Sequence, residues 1–158
     1  MSDTGGELAV RDLPFPELDI HTLYALLQLR TDVFVVEQAC AYAELDGLDQ
    51  AARHVWIEEG NAVIACLRLI DDGAVRRIGR VATHRDARSR GLAAVLVAHA
   101  LQNSDGPWEL AAQTYLRDWY ARFGFVEVGE EYVEDGIPHV DMRREVGPAV
   151  ADERGDAR

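Results

Sequence analysis

Arg76-Arg77-Ile78-Gly79-Arg80-Val81-Ala82-Thr83-His84-Arg85-Asp86-Ala87-Arg88-Ser89-Arg90-Gly91-Leu92-Ala93 begins as a strand, passes through a loop of small and basic residues, and opens a helix. The first turn of a helix carries unpaired N–H groups and the positive end of the peptide dipole. Gly91 removes a side chain where an anion must approach the backbone, and Ala93 keeps the next turn slim. Arginines on the loop offer forked donors for phosphate oxygens. The stretch therefore suits a pyrophosphate, although it is neither the dinucleotide G-x-G-x-x-G nor the P-loop G-x-x-x-x-G-K-[ST].

Charge sets this stretch apart from the rest of the chain. The 158 residues carry a formal net charge of −12, with 48% hydrophobic and 28% charged residues. There is no lysine, so all 16 basic residues are arginine. Six of them lie in the quoted window with Asp86 as its one acid, leaving the window at +5 and the remainder at −17. A basic island in an acidic protein points to one local anionic ligand. The acidic remainder argues against a general binder of nucleic acid or of an anionic membrane surface. No apolar run reaches the roughly 18 residues that span a bilayer. The start, Met1 to Glu7, lacks the basic and apolar parts of a signal peptide. Cys40 and Cys66 are too few for a disulfide framework or a four-thiolate zinc site. The expectation is a cytoplasmic protein with no metal.

Working outward, residues 1–7 and 147–158 read as flexible tails around a single domain over 8–146. Asp19 or Pro16 opens a helix in which Leu23, Leu26, Leu27 and Arg30 keep helical spacing, extended by Val33, Phe34 and Val35. His54–Glu58 and Ala62–Ile70 read as strands joined by a Glu59-Gly60-Asn61 hairpin turn. Asp71-Asp72-Gly73 turns the chain into a strand from Val75 to Thr83. Leu92, Val95, Leu96 and His99 share one helix face, ended by Ser104-Asp105-Gly106-Pro107. A short strand, Trp108–Gln113, precedes a helix over Leu116–Phe123 closed by Gly124. Strands over Phe125–Tyr132 and Pro138–Arg144 flank Asp135-Gly136. The strand–helix–strand from Val75 to Gln113 is long enough for a parallel crossover, and the hairpins around it imply antiparallel pairs. The fold class is α/β of the α+β type, with a single mixed sheet.

Arg88-Ser89-Arg90-Gly91-Leu92-Ala93 also matches the [Q/R]-x-x-G-x-[G/A] acyl-coenzyme-A motif of the GNAT N-acetyltransferase superfamily. Trp119-Tyr120-Ala121-Arg122-Phe123-Gly124-Phe125 resembles that family's Y-x-x-x-G-F ending of its last helix. Leu23 to Arg30, Val33 to Gln38 and Glu134 to His139 resemble its ElaA-like branch, and the resemblance runs from about Leu23 to Glu145. It implies a mostly antiparallel sheet with a splayed central parallel pair and flanking helices. It further implies that main chain at Val81, Ala82 and Thr83 pairs with the pantetheine arm and acetyl carbonyl of acetyl-CoA. Arg88, Ser89, Arg90, Gly91, Leu92 and Ala93 would hold the pyrophosphate. Gln113 stands where many members carry asparagine.

Acetyl transfer from a thioester to an amine requires the amine to lose a proton from a pKa of about 10, and a thiolate to leave with a thiol pKa of about 8.5. By resemblance Tyr120 is the acid that protonates the thiolate. Backbone N–H groups would stabilise the oxyanion, and proximity would supply much of the remaining acceleration. The strand Arg76–Thr83 offers no glutamate as base. Glu37 is the first candidate, since an acid after Val33-Phe34-Val35-Val36 is expected to be partly desolvated and raised in pKa. His54, His139, Glu44 and ordered water are the alternatives. Phe34, Gln38, His54 and His139 are the candidate acceptor-binding residues. Acids at Glu44, Asp46 and Asp49, and from Glu127 to Asp135, would attract a cationic amine or serve solubility alone.

Arg30-Thr31-Asp32-Val33-Phe34 followed by Glu44, Asp46 and Asp49 also resembles the front half of acyl-homoserine-lactone synthases, which would take a different donor. A third reading is a non-catalytic acetyl-CoA-binding module. Exposed edge strands near the C-terminus would allow a homodimer.

Overall fold

The structure, a computed structural model, describes residues 8–146. The expected tails, 1–7 and 147–158, lie outside the described residues. In chain order the elements are β1 (Ala9–Pro14), α1 (Ile20–Thr31), β2 (Arg53–Glu59), β3 (Ala62–Asp71), β4 (Arg76–Thr83), α2 (Leu92–Gln102), β5 (Trp108–Gln113), α3 (Arg117–Ala121), β6 (Val126–Glu134) and β7 (Ile137–Arg144). The seven strands form one sheet in the order β1-β2-β3-β4-β5-β7-β6. The sheet is mixed and mostly antiparallel. Its parallel pair is β4 with β5, in register at Arg76–Trp108 and Arg77–Glu109. Within the described residues the fold divides into two compact units, residues up to Arg68 with Arg80–Leu96, and Leu69–Gly79 with the residues from Val97 onward.

In the first unit β1 lies antiparallel to β2, from Ala9–Glu58 to Pro14–Arg53. Asp19 caps α1, its carboxylate accepting from the Thr22 amide at 2.8 Å, which fixes the start the sequence predicts. Leu26, Leu29 and Val33 pack with Trp56, Cys66 and Ala82, flanked by Leu13, Leu18, Phe34 and Val63. Beyond Thr31 the helix widens over Asp32–Glu37 into a π-helical segment. There Gln38 N–H donates to Val33 O and Cys40 N–H to Val35 O, each reaching back five residues. The widening adds a residue to the turn and changes the direction in which side chains beyond Val33 project.

The second unit is built from β5, β7 and β6, with antiparallel registers Trp108–Arg144 to Gln113–His139 and Val126–Arg143 to Glu134–Ile137. Trp108, Leu110, Ala112, Val140 and Met142 are buried, and so are Val97, Ala100 and Leu101 of α2. Gly124 has φ of +90°, so the conformation calls for glycine after α3, and a Cβ there would press on the Arg144 side chain at 3.2 Å.

The interior of the first unit also holds charge. Arg30, 1% exposed, donates from Nε to Glu44 Oε2 at 2.7 Å and from Nη1 to Asp49 Oδ1 at 2.7 Å. Arg68 forks onto Asp46 at 2.9 Å from both Nη atoms and reaches Asp49 Oδ1 at 3.2 Å. Arg80 donates from Nε to Glu44 Oε2 at 2.8 Å and from Nη2 to Asp46 Oδ2 at 3.2 Å. The Tyr42 hydroxyl donates to Glu44, and the Arg80 guanidinium sits 5.5 Å from the Tyr42 ring centroid. Three guanidinium groups thus balance three carboxylates. The expectation that Glu44, Asp46 and Asp49 draw in a cationic acceptor is corrected here: their charge is spent inside the fold. Arg80, in mid-strand, adopts φ of +52°, a conformation that costs a side-chain-bearing residue about 1–2 kcal/mol. Its three side-chain hydrogen bonds and its contact with the Tyr42 ring hold it there.

Removing one partner from such a network leaves buried charge uncompensated. Arg30→Met is expected to cost about 3–5 kcal/mol in urea unfolding. The pH dependence has a definite sign. Burial works to raise the Asp46 and Asp49 carboxyls, but the arginine hydrogen bonds and charges outweigh it, lowering both and bringing Asp46 to about 2. A carboxyl whose folded pKa lies below its unfolded value, about 3.9, stabilises the fold above that value. This stabilisation is lost as pH falls toward about 2. Unfolding midpoints measured from pH 7 to pH 2 should decline below about pH 4, less steeply in Arg30→Met.

Candidate active site

β4 ends at Thr83, a short turn follows over Arg85–Ala87, and α2 opens at Leu92. In the intervening loop Ser89 has φ of +67° and Gly91 φ of +74°. Two left-handed residues flanking Arg90 bend the chain tightly ahead of α2. Leu92 is buried and anchors the helix start, while Arg88, Ser89, Arg90 and Gly91 are exposed. No atom lies within 4 Å of where a Gly91 Cβ would stand, so conformation is what calls for glycine there. The backbone is exposed and slim, which fits an approaching diphosphate.

The arginine side chains do something the sequence does not suggest. Arg88 makes a two-point contact with Glu37, Nη1 to Oε2 at 2.7 Å and Nη2 to Oε1 at 2.8 Å. It also donates to the Thr83 carbonyl from Nε at 3.2 Å and Nη2 at 3.1 Å. Arg90 makes a two-point contact with Glu59, at 3.2 and 2.6 Å. Arg76 pairs with Asp71, and Arg77 with Asp72 and Glu109. The basic island is therefore largely neutralised by carboxylates. Glu59, read from sequence only as a turn residue, was not legible as the partner of Arg90: 31 residues separate them.

The structure corrects the expected desolvation of Glu37. It is exposed, and the Arg88 hydrogen bonds and charge, with Arg85 and His84, hold its carboxyl below the ordinary 4.5. That is the opposite of the shift expected for a base. His54 is corrected too. It is 2% exposed, with Nε2 3.0 Å from the Asp49 carbonyl oxygen, and burial lowers its pKa below 6.5. It is an interior histidine, which burial favours in the neutral form. Glu44 is buried within the ion-pair network, which removes it from the candidate bases. Phe34 and Gln38 are half-buried on and just after the π-helical segment. Val81 and Thr83 are half-buried and Ala82 buried at the end of β4.

In the second unit Tyr120 is 6% exposed on α3. The Trp119 ring meets it edge-on at 4.9 Å, and Phe125 lies at 6.2 Å. Burial, with a smaller push from the Tyr115 phenol, raises its pKa above the ordinary 10.0. The hydroxyl therefore stays protonated at neutral pH, as a proton donor must. Gln113 ends β5 opposite His139 of β7. His139 Nδ1 lies 2.7 Å from the Ile137 carbonyl oxygen, and its ring stacks on Tyr132 at 5.9 Å. Cys66 is fully buried, and burial pushes its thiol up to about 12, so it is no nucleophile.

Fold and loop together define an acyltransferase class. The chain belongs to the GNAT acetyltransferase family, whose domain model, described as "Acetyltransferase (GNAT) domain", matches residues 24–146. Within the family it stands with the ElaA-like proteins. It is 40% identical to Protein ElaA of Escherichia coli over 146 residues, 86% of this chain and 95% of ElaA. The crystal structure of E. coli ElaA superposes with a TM-score of 0.83 over 88% of this chain and all of that one, at 37% identity. An acyl-CoA N-acyltransferase from Pseudomonas aeruginosa superposes equally well, TM-score 0.83 at 43% identity, over 87% of this chain and 99% of that one. UPF0039 protein Rv2851c of Mycobacterium tuberculosis is 48% identical over 144 residues, 86% of this chain and 92% of its own. The acyl-homoserine-lactone synthase LasI shares the fold, TM-score 0.75 at 18% identity, over 92% of this chain and 93% of its own. Among the described residues no helix is long and apolar enough to cross a membrane.

The loop conformation yields a direct test. Gly91→Ala places a Cβ at φ of +74° without a clash. It should cost about 1–2 kcal/mol in chemical denaturation and leave the circular-dichroism spectrum of the fold intact.

Proposed function

We propose that this protein transfers an acetyl group from acetyl-CoA to a primary amine, by direct attack in a ternary complex. The observation that carries the reading is the loop ahead of α2, where two left-handed residues present exposed main chain at a helix start. In this reading the amides from Ser89 to Ala93 take the diphosphate. The N–H groups at Val81, Ala82 and Thr83 take the pantetheine arm and the thioester carbonyl. Gln113 contributes a side chain on the cofactor side. Phe34, Gln38 and His139 face the acceptor.

Tyr120 donates its proton to the sulfur as the carbon–sulfur bond breaks. A phenol held in the acid form by burial suits that step, because it gives up its proton only as negative charge develops on the leaving thiolate. Main-chain N–H groups meet the developing oxyanion, and they need no reorganisation to do so. The amine's own proton leaves through ordered water, since Glu37 is held as an ion-paired carboxylate and His54 is interior. This chemistry belongs in a cytoplasm that supplies acetyl-CoA.

Thiol release from acetyl-CoA across a panel of small amines, polyamines, peptide N-termini and lysyl peptides tests the proposal. Turnover on one class supports it. Binding of coenzyme A without turnover on any amine would make the protein a binding module. Turnover on an acyl-carrier-protein thioester alone would place it with the homoserine-lactone synthases. Tyr120→Phe should lower kcat at least about 100-fold while acetyl-CoA affinity changes less than about threefold. Because the phenol's pKa is raised, wild-type kcat should show no fall assignable to this group up to about pH 10.

A further inference from the structure

The loop's two arginines are each gripped by a glutamate from elsewhere in the first unit. Glu37 sits at the last position of the π-helical segment and holds Arg88 on one side of the left-handed bend. Glu59 ends β2 and holds Arg90 inside it. Arg88 is further tied to the Thr83 carbonyl, so one guanidinium links the π-helical segment, the end of β4 and the loop. Both pairs are two-point contacts, the geometry that fixes orientation as well as distance. Much of each guanidinium's donor capacity is already engaged, Arg88 by Glu37 and the Thr83 carbonyl and Arg90 by Glu59. What the pairs do define is the path of the chain through Ser89, Arg90 and Gly91, two of which sit at φ values that side-chain-bearing residues rarely adopt.

We propose that Glu37 and Glu59 are positioning residues: each holds one arginine of the 88–90 segment so that the main-chain amides ahead of α2 are set for a diphosphate before the cofactor arrives. The inference rests on the acetyl-CoA reading for its ligand, but not for the ordering of the loop. Each pair is half in solvent, with side-chain exposures of 42% and 42% for Arg88–Glu37 and 39% and 40% for Arg90–Glu59. The contribution of each pair is therefore modest, and it falls on cofactor binding rather than on the chemical step. This assignment takes Glu37 out of the proton-transfer role and gives the π-helical segment a purpose: it carries Glu37 to the loop.

Two measurements on Glu37→Gln, Glu59→Gln and the double variant test this. The first is hydrogen exchange of the Ser89–Leu92 amides in the cofactor-free protein. Exchange at least about fivefold faster in each variant is expected, with other segments unchanged. The second is steady-state kinetics with acetyl-CoA. KM should rise about fivefold in each single variant, with kcat within about twofold and its pH profile unmoved. The effects of Glu37→Gln and Arg88→Gln should be less than additive when the two are combined. Unchanged exchange and unchanged KM overturn the proposal. So does a collapse of kcat at constant KM with loss of the ascending pH limb, which would make Glu37 the base. If wild-type protein neither binds coenzyme A nor releases thiol, the acetyl-CoA reading fails, and the exchange experiment still decides whether the carboxylates order the loop.

Discussion

The balanced cluster around Arg30 is the constraint from which the first unit follows. Burying ions in a protein interior costs several kcal/mol for each, and only complete mutual satisfaction offsets it. Here Arg30 on α1, Arg68 on β3 and Arg80 on β4 converge on a segment, residues 42–49, that has little regular structure of its own. Its two leucines, Leu45 and Leu48, are left exposed and do little to anchor it. Its Glu44 and Asp49 carboxylates, and the Glu44 carbonyl, are what fasten it. The same contacts stabilise the left-handed conformation of Arg80, so one set of charges fastens a loop and holds a positive-φ residue within a strand.

The arrangement of arginine against carboxylate then repeats at the surface. In an acidic protein a basic window invites an electrostatic explanation, namely that it attracts anions by its net charge. The pairing of Arg76, Arg77, Arg80, Arg88 and Arg90 with acids removes most of that field. An anion at this loop meets oriented peptide dipoles and N–H groups, whose attraction is short-ranged and directional. Recognition by such groups depends on where the chain runs more than on how much charge it carries.

Much of the fold was legible in sequence because it rests on local signals. Asp19 before an apolar periodic run, Gly60 and Gly73 at the hairpin turns, and Gly124 after α3 each stand where the backbone requires them. The mixed sheet followed from the spacing of these elements. β1 was missed because Ala-Val-Arg-Asp-Leu-Pro is short, half-polar and ends in proline. It becomes a strand through its ladder to β2, a non-local interaction. The widening of α1 over Asp32–Glu37 was read as plain helix, since apolar spacing in one turn cannot distinguish four residues from five. At the site, the motif marked the loop ahead of α2 but gave no sign of the acids that pair with its arginines. Whether an arginine faces an anion or a glutamate depends on contacts such as Glu37–Arg88, 51 residues apart. His54 looked like a candidate for the same reason: its burial is decided by strands and by Asp49, not by its neighbours in the chain.

Every cation in these networks is a guanidinium, because the sequence contains no lysine. A guanidinium keeps its proton at any physiological pH and has no nucleophilic lone pair to offer. An ammonium in the same places would spend a fraction of its time as a free base beside a reactive thioester. Built this way, the protein presents no ε-amino group of its own to an acyl donor, so no lysine side chain competes with the acceptor it is proposed to serve.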